Sequence, residues 1–435
     1  MHTLIVCNPG HFHAALTLRE RHPRLSDEVF LYAEPGPDLD RFLTVARSFN
    51  KRPNRPTRWR FNVVTGADYL EQLTKERRGD VAIVAGRTDT KVETMHRLHE
   101  AGIHVLADKP WLTGADALPT IRELLAAPPR VADIMTTRLE IGVRLLNALV
   151  GEPQIFGQFA VERGRPAILI ESVHYLCKIV TGRPLVRPAW FFDIAVQGAG
   201  IADLTTHLLD QVMGLAGAAT DPTQPFSFGG DVTLEGARMW DTPVTRELFR
   251  RITGEPDLPA ALKPHVRHGV LRYLCNGEID CRWRGIPAQV GVVWHGETPP
   301  GGGDTTHAVL RGTRATVEMR QGPQTGFREE VHVHPKRGDR DLRRTLERTV
   351  AAWQDRFPGT KVSDRGKSLV LTYPDELRIP HEAQFSLVLS QFLDNLDGEW
   401  PAWEAPNLLT RYTLIAKAAE RASQTGEFRA GTSKP

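Results

Sequence analysis

Paired cysteines are missing from this chain: Cys7, Cys177, Cys275 and Cys281 lie far apart along 435 residues, with no Cys-x-x-Cys pair. Cys7 sits in an apolar run, so thiols that fill space in a reducing compartment are the expected reading. Long apolar runs are also missing. Nowhere do eighteen apolar residues follow one another, so no segment is expected to span a bilayer. The opening "MHTLIVCNPG" has no basic region, apolar stretch and small-residue cleavage site in series, and the cytoplasm is the expected location. Charge of one sign is scarce as well. A net charge of +3 with both signs interspersed creates no field for nucleic acid or membrane, and neither is expected as a partner. No internal repeat or extended low-complexity tract appears.

What is present is a water-soluble balance, 41% hydrophobic and 25% charged, in a chain too long for one ordinary core. The first 135 residues alternate between two periods. Short β-branched runs recur at 3–7, 29–33, 61–64, 81–85, 103–107 and 131–135. Between them lie segments of helical spacing such as "ADYLEQLTKERRG" and "DTKVETMHRLHEAG". This alternation predicts βαβ units and a doubly wound parallel sheet in residues 1–135, with runs such as "VAIVA" covered on both faces.

Beyond residue 136 the rhythm changes. A helix is expected at "RLEIGVRLLNALVG" and strands at "IFGQFAVERG", "GVLRYLCNGEIDCRW", "AQVGVVWHG", "HAVLRGTRATVEMRQ" and "EEVHVHP". The alternating patterns predict an α+β domain over 136–435 with a large, mainly antiparallel sheet. "ETPPGGG" (297–303) reads as a hairpin tip or mobile loop, and helices return at "HEAQFSLVLSQFLDNLDG" and "NLLTRYTLIAKAAERASQ".

The turn after the first strand, "CNPGHFHAAL", is the candidate phosphate cradle, because free amides and the helix dipole at such a turn favour anions. Against Gly-x-Gly-x-x-Gly, Asn8 stands at the first glycine, Gly10 at the second and His13 at the third. Glu34, 24 residues beyond Gly10 at the end of the second strand, can accept from an adenosine ribose, which favours NAD over NADP. Seven basic residues (Arg41, Arg47, Lys51, Arg52, Arg55, Arg58, Arg60) follow it; they could neutralise a 2′-phosphate but read as a solvated face. Expected cofactor contacts also include His11, Phe12 and Gly86 from the same edge, with Asp108 and Lys109 from the motif "VLADKPW". Lys109 follows the fifth strand at the edge where ligands bind such sheets, and Pro110 limits it to extended conformations.

The segment "GIADLTTHLLDQV" (200–212) places Asp203, His207 and Asp210 at spacings of four and three on one face of an apolar helix. The degenerate turn, "AGIHVLADKP" and "GAGIADLTTHLLD" together resemble the Gfo/Idh/MocA oxidoreductases, which include glucose–fructose oxidoreductase and inositol dehydrogenase. Asp108-Lys109-Pro110 stands where that family carries Glu-Lys-Pro, and Gly198, Gly200, Asp203 and His207 match its Asp-x-x-x-His segment. The longer run "RPAWFFDIAVQGAGIADLTTHLLD" looks like a branch with a distinctive C-terminal domain. The resemblance implies an NAD-dependent oxidoreductase acting on a secondary hydroxyl of a sugar, cyclitol or sugar derivative. It further implies a homodimer or homotetramer formed through the C-terminal sheet.

In an alcohol oxidation a proton leaves oxygen as hydride leaves carbon. His207 is then the expected base, Lys109 the stabiliser of charge growing on oxygen, and Asp203 a ligand for a substrate hydroxyl or for the imidazole. Asp210 either sets the histidine tautomer or faces an arginine or solvent. Arg138, Tyr175, Lys178 and Trp190 are expected near substrate, while Phe191 and Phe192 read as core. Three rival readings stand beside this one. Asp203, His207 and Asp210, or His332 with His334, could ligate a metal, although no metal is expected. Tightly held NAD could serve glycoside cleavage without net redox. A dinucleotide-binding sensor is the third, and Lys109 and His207 speak against it.

Overall fold

The computed structural model describes residues 1–180, 183–336 and 341–424. The six β-branched runs of the N-terminal region form β1 (His2–Cys7), β2 (Leu25–Ala33), β3 (Arg60–Thr65), β4 (Val81–Val84), β5 (His104–Ala107) and β6 (Val131–Asp133). They build one parallel sheet in the order β3-β2-β1-β4-β5-β6. All four residues of β4 are buried, as both-face cover requires, whereas β3 at the edge is half exposed. The intervening helices are α1 (His13–Thr17), α2 (Pro37–Lys51), α3 (Tyr69–Glu76), α4 (Lys91–Glu100) and α5 (Leu118–Ala126). Strand order reverses between β1 and β4, the topological position beside which α/β sheets bind ligands at the carboxyl ends of their strands.

The second sheet has ten strands. They follow α6 (Ile141–Val150) and are interrupted by helices. The chain runs through β7 (Ile168–Cys177), the two-residue ribbon β8 (Ile179–Val180) and β9 (Arg183–Pro184), then α7 (Ile194–Gln197), α8 (Gly200–Asp203) and α9 (Thr205–Ala219). Next come β10 (Val232–Val244), α10 (Arg246–Thr253), β11 (Val266–Arg267), β12 (Val270–Trp283), β13 (Ile286–Glu297), β14 (Thr305–Arg311), β15 (Ala315–Gln321) and β16 (Glu330–Pro335). The last elements are α11 (Leu342–Ala352), β17 (Lys361–Asp364), β18 (Leu369–Thr372), α12 (His381–Asp397) and α13 (Glu404–Gln424).

The sheet order is β10-β12-β13-β7-β14-β15-β16-β18-β17, with β11 paired to β12. Every pairing is antiparallel except β13 with β7. Helices α6 and α9 pack on one face. The other face carries Glu171, His307, Glu318 and His334, joined by imidazole–carboxylate hydrogen bonds such as His307–Glu318 at 2.7 Å.

Two sequence expectations are corrected here. Residues 155–164 do not form a strand; they make only isolated bridges, because Phe156 and Phe159 cluster locally at 4.8 Å instead of alternating across a sheet. The 297–303 segment is no hairpin tip, since β7 lies between the two strands that it connects.

The described chain divides into two compact units that are discontinuous in sequence. One comprises Met1–Thr136, Asp193–Gly198 and Pro380–Ala416; the other comprises Thr137–Phe192, Ala199–Ile379 and the chain from Lys417. Within the first, α12 packs on the short helix α1, with Phe385 against His13 at 4.3 Å between ring centroids. Tyr412 of α13 stacks on buried Trp111 at 4.8 Å, and Arg411 forms a fully buried ion pair with Asp133 at the end of β6.

Candidate active site

In the first unit the β1–α1 turn is fixed by main-chain bonds. Asn8 adopts a left-handed φ of 40°, which asparagine tolerates better than most residues, and it therefore serves where the fingerprint has glycine. Its Oδ1 accepts from the Glu34 amide at 3.2 Å, tying the turn to the end of β2. The amides of Gly10 and His11 both donate to the Ala85 carbonyl at 3.0 Å. Gly86 is required by close approach: a Cβ there would lie 2.8 Å from the Asn8 carbonyl oxygen. Phe12 stands at the entry of α1, and Glu34 is exposed at the carboxyl end of β2. Of the basic residues that follow, Arg41, Arg52 and Arg60 pair with Asp38, Glu20 and Glu28.

The Asp108-Lys109-Pro110 turn leaves β5 with the Asp108 amide bonded to the Val84 carbonyl at 2.8 Å. Lys109 is buried, at 7% exposure, and the Lys109–Pro110 peptide is cis. A second lysine, Lys91 of α4, holds the turn from beneath. Its Nζ donates to the carbonyls of Asp108 at 2.9 Å and Pro110 at 2.6 Å. On the other side, His11 and His13 each place Nδ1 3.0 Å from the same Asp108 oxygen. Burial pulls His13 down to about 3, so its ring is neutral across the physiological range. Burial also opposes ionisation of Asp108, but electrostatic attraction from His13, with the hydrogen bonds from both imidazoles, prevails and holds it well below the usual carboxylate range.

In the second unit α8 and α9 follow one another with a break at Leu204, so Asp203 ends one helix and His207 lies in the first turn of the next. Gly200 opens α8 because the helix meets β12 backbone to backbone: a Cβ would lie 1.9 Å from the Cys275 carbonyl oxygen. Residues 205–213 of α9 are buried, apart from His207, which is half-buried. Asp203 is buried. Asp210 faces an arginine, as one of the two alternatives held: Arg138 clasps it through Nε at 2.9 Å and Nη2 at 2.7 Å.

The remaining expected substrate residues are dispersed. Lys178 donates to Asp304 at 2.6 Å, where His174 also binds at 3.0 Å. Tyr175 is buried on β7 beside His295, and Trp190 is half-buried in a short 3₁₀ turn. Phe191 and Phe192 are core. His332 and His334 stack at 6.0 Å but bind different carboxylates, Glu330 and Glu318.

Sequence reasoning missed Lys91 and Arg187. Arg187 is buried between the rings of Phe191 at 4.6 Å and Trp294 at 5.2 Å, and it donates to the carbonyl of Leu176 at 3.0 Å. Burial lowers its pKa against the opposing influence of Tyr273, Asp203 and Asp304. Arginine in "TGRPLVRPAW" carries no spacing signal that could have found it.

Comparison with known proteins gives these arrangements a context. The family model described as "Putative oxidoreductase C terminal domain" matches residues 145–423. A solved "putative oxidoreductase" from Parabacteroides merdae is 36% identical over 98% of both chains, with a TM-score of 0.93. This chain is a Gfo/Idh/MocA oxidoreductase. Two more distant structures share its fold. KijD10, a 3-ketoreductase from Actinomadura kijaniata solved with NADP and TDP-benzene, is 16% identical over 96% of this chain and 97% of its own, at TM-score 0.55. GenD2 from gentamicin A biosynthesis, solved with NAD, is 16% identical over 98% and 95%, at TM-score 0.57. No curated protein matches the chain. Among the described residues no helix is long and apolar enough to cross a membrane.

Proposed function

We propose that this family member moves hydride between a nicotinamide dinucleotide and a secondary hydroxyl or ketone of a sugar, cyclitol or sugar derivative. The observation that carries the reading is Lys109: a buried lysine at the carboxyl edge of a parallel sheet, in a turn clamped by Lys91. A lysine held out of water is suited to stabilising charge that grows on a reacting oxygen.

The residues present suit a dinucleotide. Asn8, Gly10, His11 and Phe12 form the turn that would carry the pyrophosphate, and Glu34 offers a carboxylate to a ribose. When bound, the nicotinamide supplies the hydride acceptor or donor. His207 takes the hydroxyl proton, an imidazole being the side chain best suited to accept and return one. Lys109 stabilises charge that grows on a reacting oxygen, and Asp203 binds a substrate hydroxyl or the imidazole. NAD is favoured over NADP by the exposed Glu34 and by the acidic partners of Arg41, Arg52 and Arg60. The polar open face of the ten-stranded sheet is where two copies would pair, in the cytoplasm.

A panel of sugars, glycosides and cyclitols, assayed for NADH and NADPH formation, tests this reading. Lys109→Met and His207→Ala should each lower kcat/KM by about a hundredfold or more. An unchanged rate in His207→Ala refutes the assigned base.

A further inference from the structure

The geometry points to a divalent transition-metal site made by His11, His13 and Asp108. Each of these side chains offers one ligand atom, and the three atoms lie within 4.8 Å of one another. Both Nδ1 atoms are already 3.0 Å from one Asp108 oxygen. Ligands of a tetrahedral ion with bonds of about 2.0–2.1 Å stand roughly 3.3 Å apart, close to the 3.0 Å that separates each Nδ1 from the Asp108 oxygen.

Three features separate this cluster from a chance meeting of polar groups. The donor set, two imidazoles and one carboxylate, is the set that favours zinc, cobalt or ferrous ions over magnesium or calcium. Secondly, Asp108 is buried and its Oδ1 atom has no hydrogen-bond partner among the described residues, although a desolvated carboxylate oxygen normally has one. An ion bound in bidentate fashion would use that oxygen. Lastly, the ligands are pre-set by their surroundings: His13 is wedged against Phe385 and Phe12, at 4.3 and 4.5 Å, and Asp108 is fixed through its main chain to Val84 and Lys91.

A neutral imidazole can ligate through Nδ1 once its hydrogen moves to Nε2, which frees the ligating nitrogen. His11 keeps the cluster partly open, its side chain being 20% exposed. A fourth position on that side can take water, the arrangement of a site with three protein ligands. Lys91, bound to the Asp108 carbonyl, adds positive charge nearby and weakens the attraction for a cation. The site stands independently of the hydride reading, although His11 belongs to the same turn.

Full-length protein stripped with a chelator and dialysed would be titrated with Co²⁺ and then with Zn²⁺. One equivalent of Co²⁺ per chain should appear with visible d–d bands that Zn²⁺ abolishes. His11→Asn and His13→Asn should each weaken binding by at least about a hundredfold, as loss of a ligand exceeds the 10- to 100-fold cost of losing its supporting partner. If His13→Asn fails to fold, as judged by circular dichroism, His11→Asn decides, because the His11 side chain is partly exposed. Absence of the bands, or bands of equal strength in folded His11→Asn, overturns the site.

Discussion

Lys91 reaches the main-chain oxygen of Asp108 at 2.9 Å from a side chain that is almost completely buried, at 2% exposure. The bond ties α4 to the turn that presents Lys109. A buried ammonium without partners would be costly, and here the carbonyls of Asp108 and Pro110 supply them.

Replacing this cation tests the clamp. Lys91→Met keeps the aliphatic stem but deprives two carbonyls of a charged donor. Unfolding in urea should show a loss of about 2–4 kcal/mol. The kcat/KM should fall about ten- to a hundredfold, because displacement of Lys109 by an ångström is enough to lose that much.

Close packing of Gly200 on β12 gives a second prediction. Gly200→Ala would press a methyl group into the Cys275 carbonyl, which belongs to a sheet strand and cannot rotate away. The expected cost is about 3 kcal/mol by denaturant unfolding, with lower turnover because Asp203 and His207 lie just beyond. Wild-type stability in this variant would refute the close approach.

The buried Asp133–Arg411 pair should respond unequally to single and double substitution. Arg411→Met takes the buried cation from a desolvated carboxylate that also lies 3.3 Å from the Tyr412 hydroxyl, and should destabilise by about 3–5 kcal/mol. Asp133→Asn combined with Arg411→Met should cost clearly less than the two single changes added together. Calorimetric melting of all four proteins reads the coupling directly.

Glu140, at the start of α6, gives a prediction in pH. Burial, followed by repulsion from Glu329, pushes its carboxyl up to about 8. In the unfolded chain it would titrate near its ordinary value of 4.5. Between those two values the folded form holds one more proton, so this group's contribution is complete below 4.5 and is lost as pH rises through 8. Glu140→Gln removes the charge that must be buried. It should melt several degrees above wild type at pH 9 and show little gain at pH 5, measured by differential scanning calorimetry.

Much of the first unit was legible because its parallel strands are short, β-branched and bounded by helical spacing. Asn8, Gly10 and the Asp-Lys-Pro turn could be picked out, since local backbone demands leave marks in residue type. In the second unit β12 through β16 could be read from alternation, whereas β7 could not. Its neighbour β13 is parallel and joined through distant sequence, so no hairpin signal announces the strand. Lys91 and Arg187 were illegible for another reason. Their partners are main-chain carbonyls and aromatic rings, which any sequence supplies.

Sequence alone determined the two sheet types, the tight turn after β1 and which residue types are capable of proton transfer, because periodicity and turn chemistry are properties of neighbouring residues. Tertiary structure decided that α12 and the start of α13 pack with the N-terminal sheet, that Asp210 is engaged by Arg138, and that two histidines converge on Asp108. Those outcomes depend on which buried surfaces fit and which desolvated charges find partners, and residues 70 to nearly 280 positions apart make those contacts.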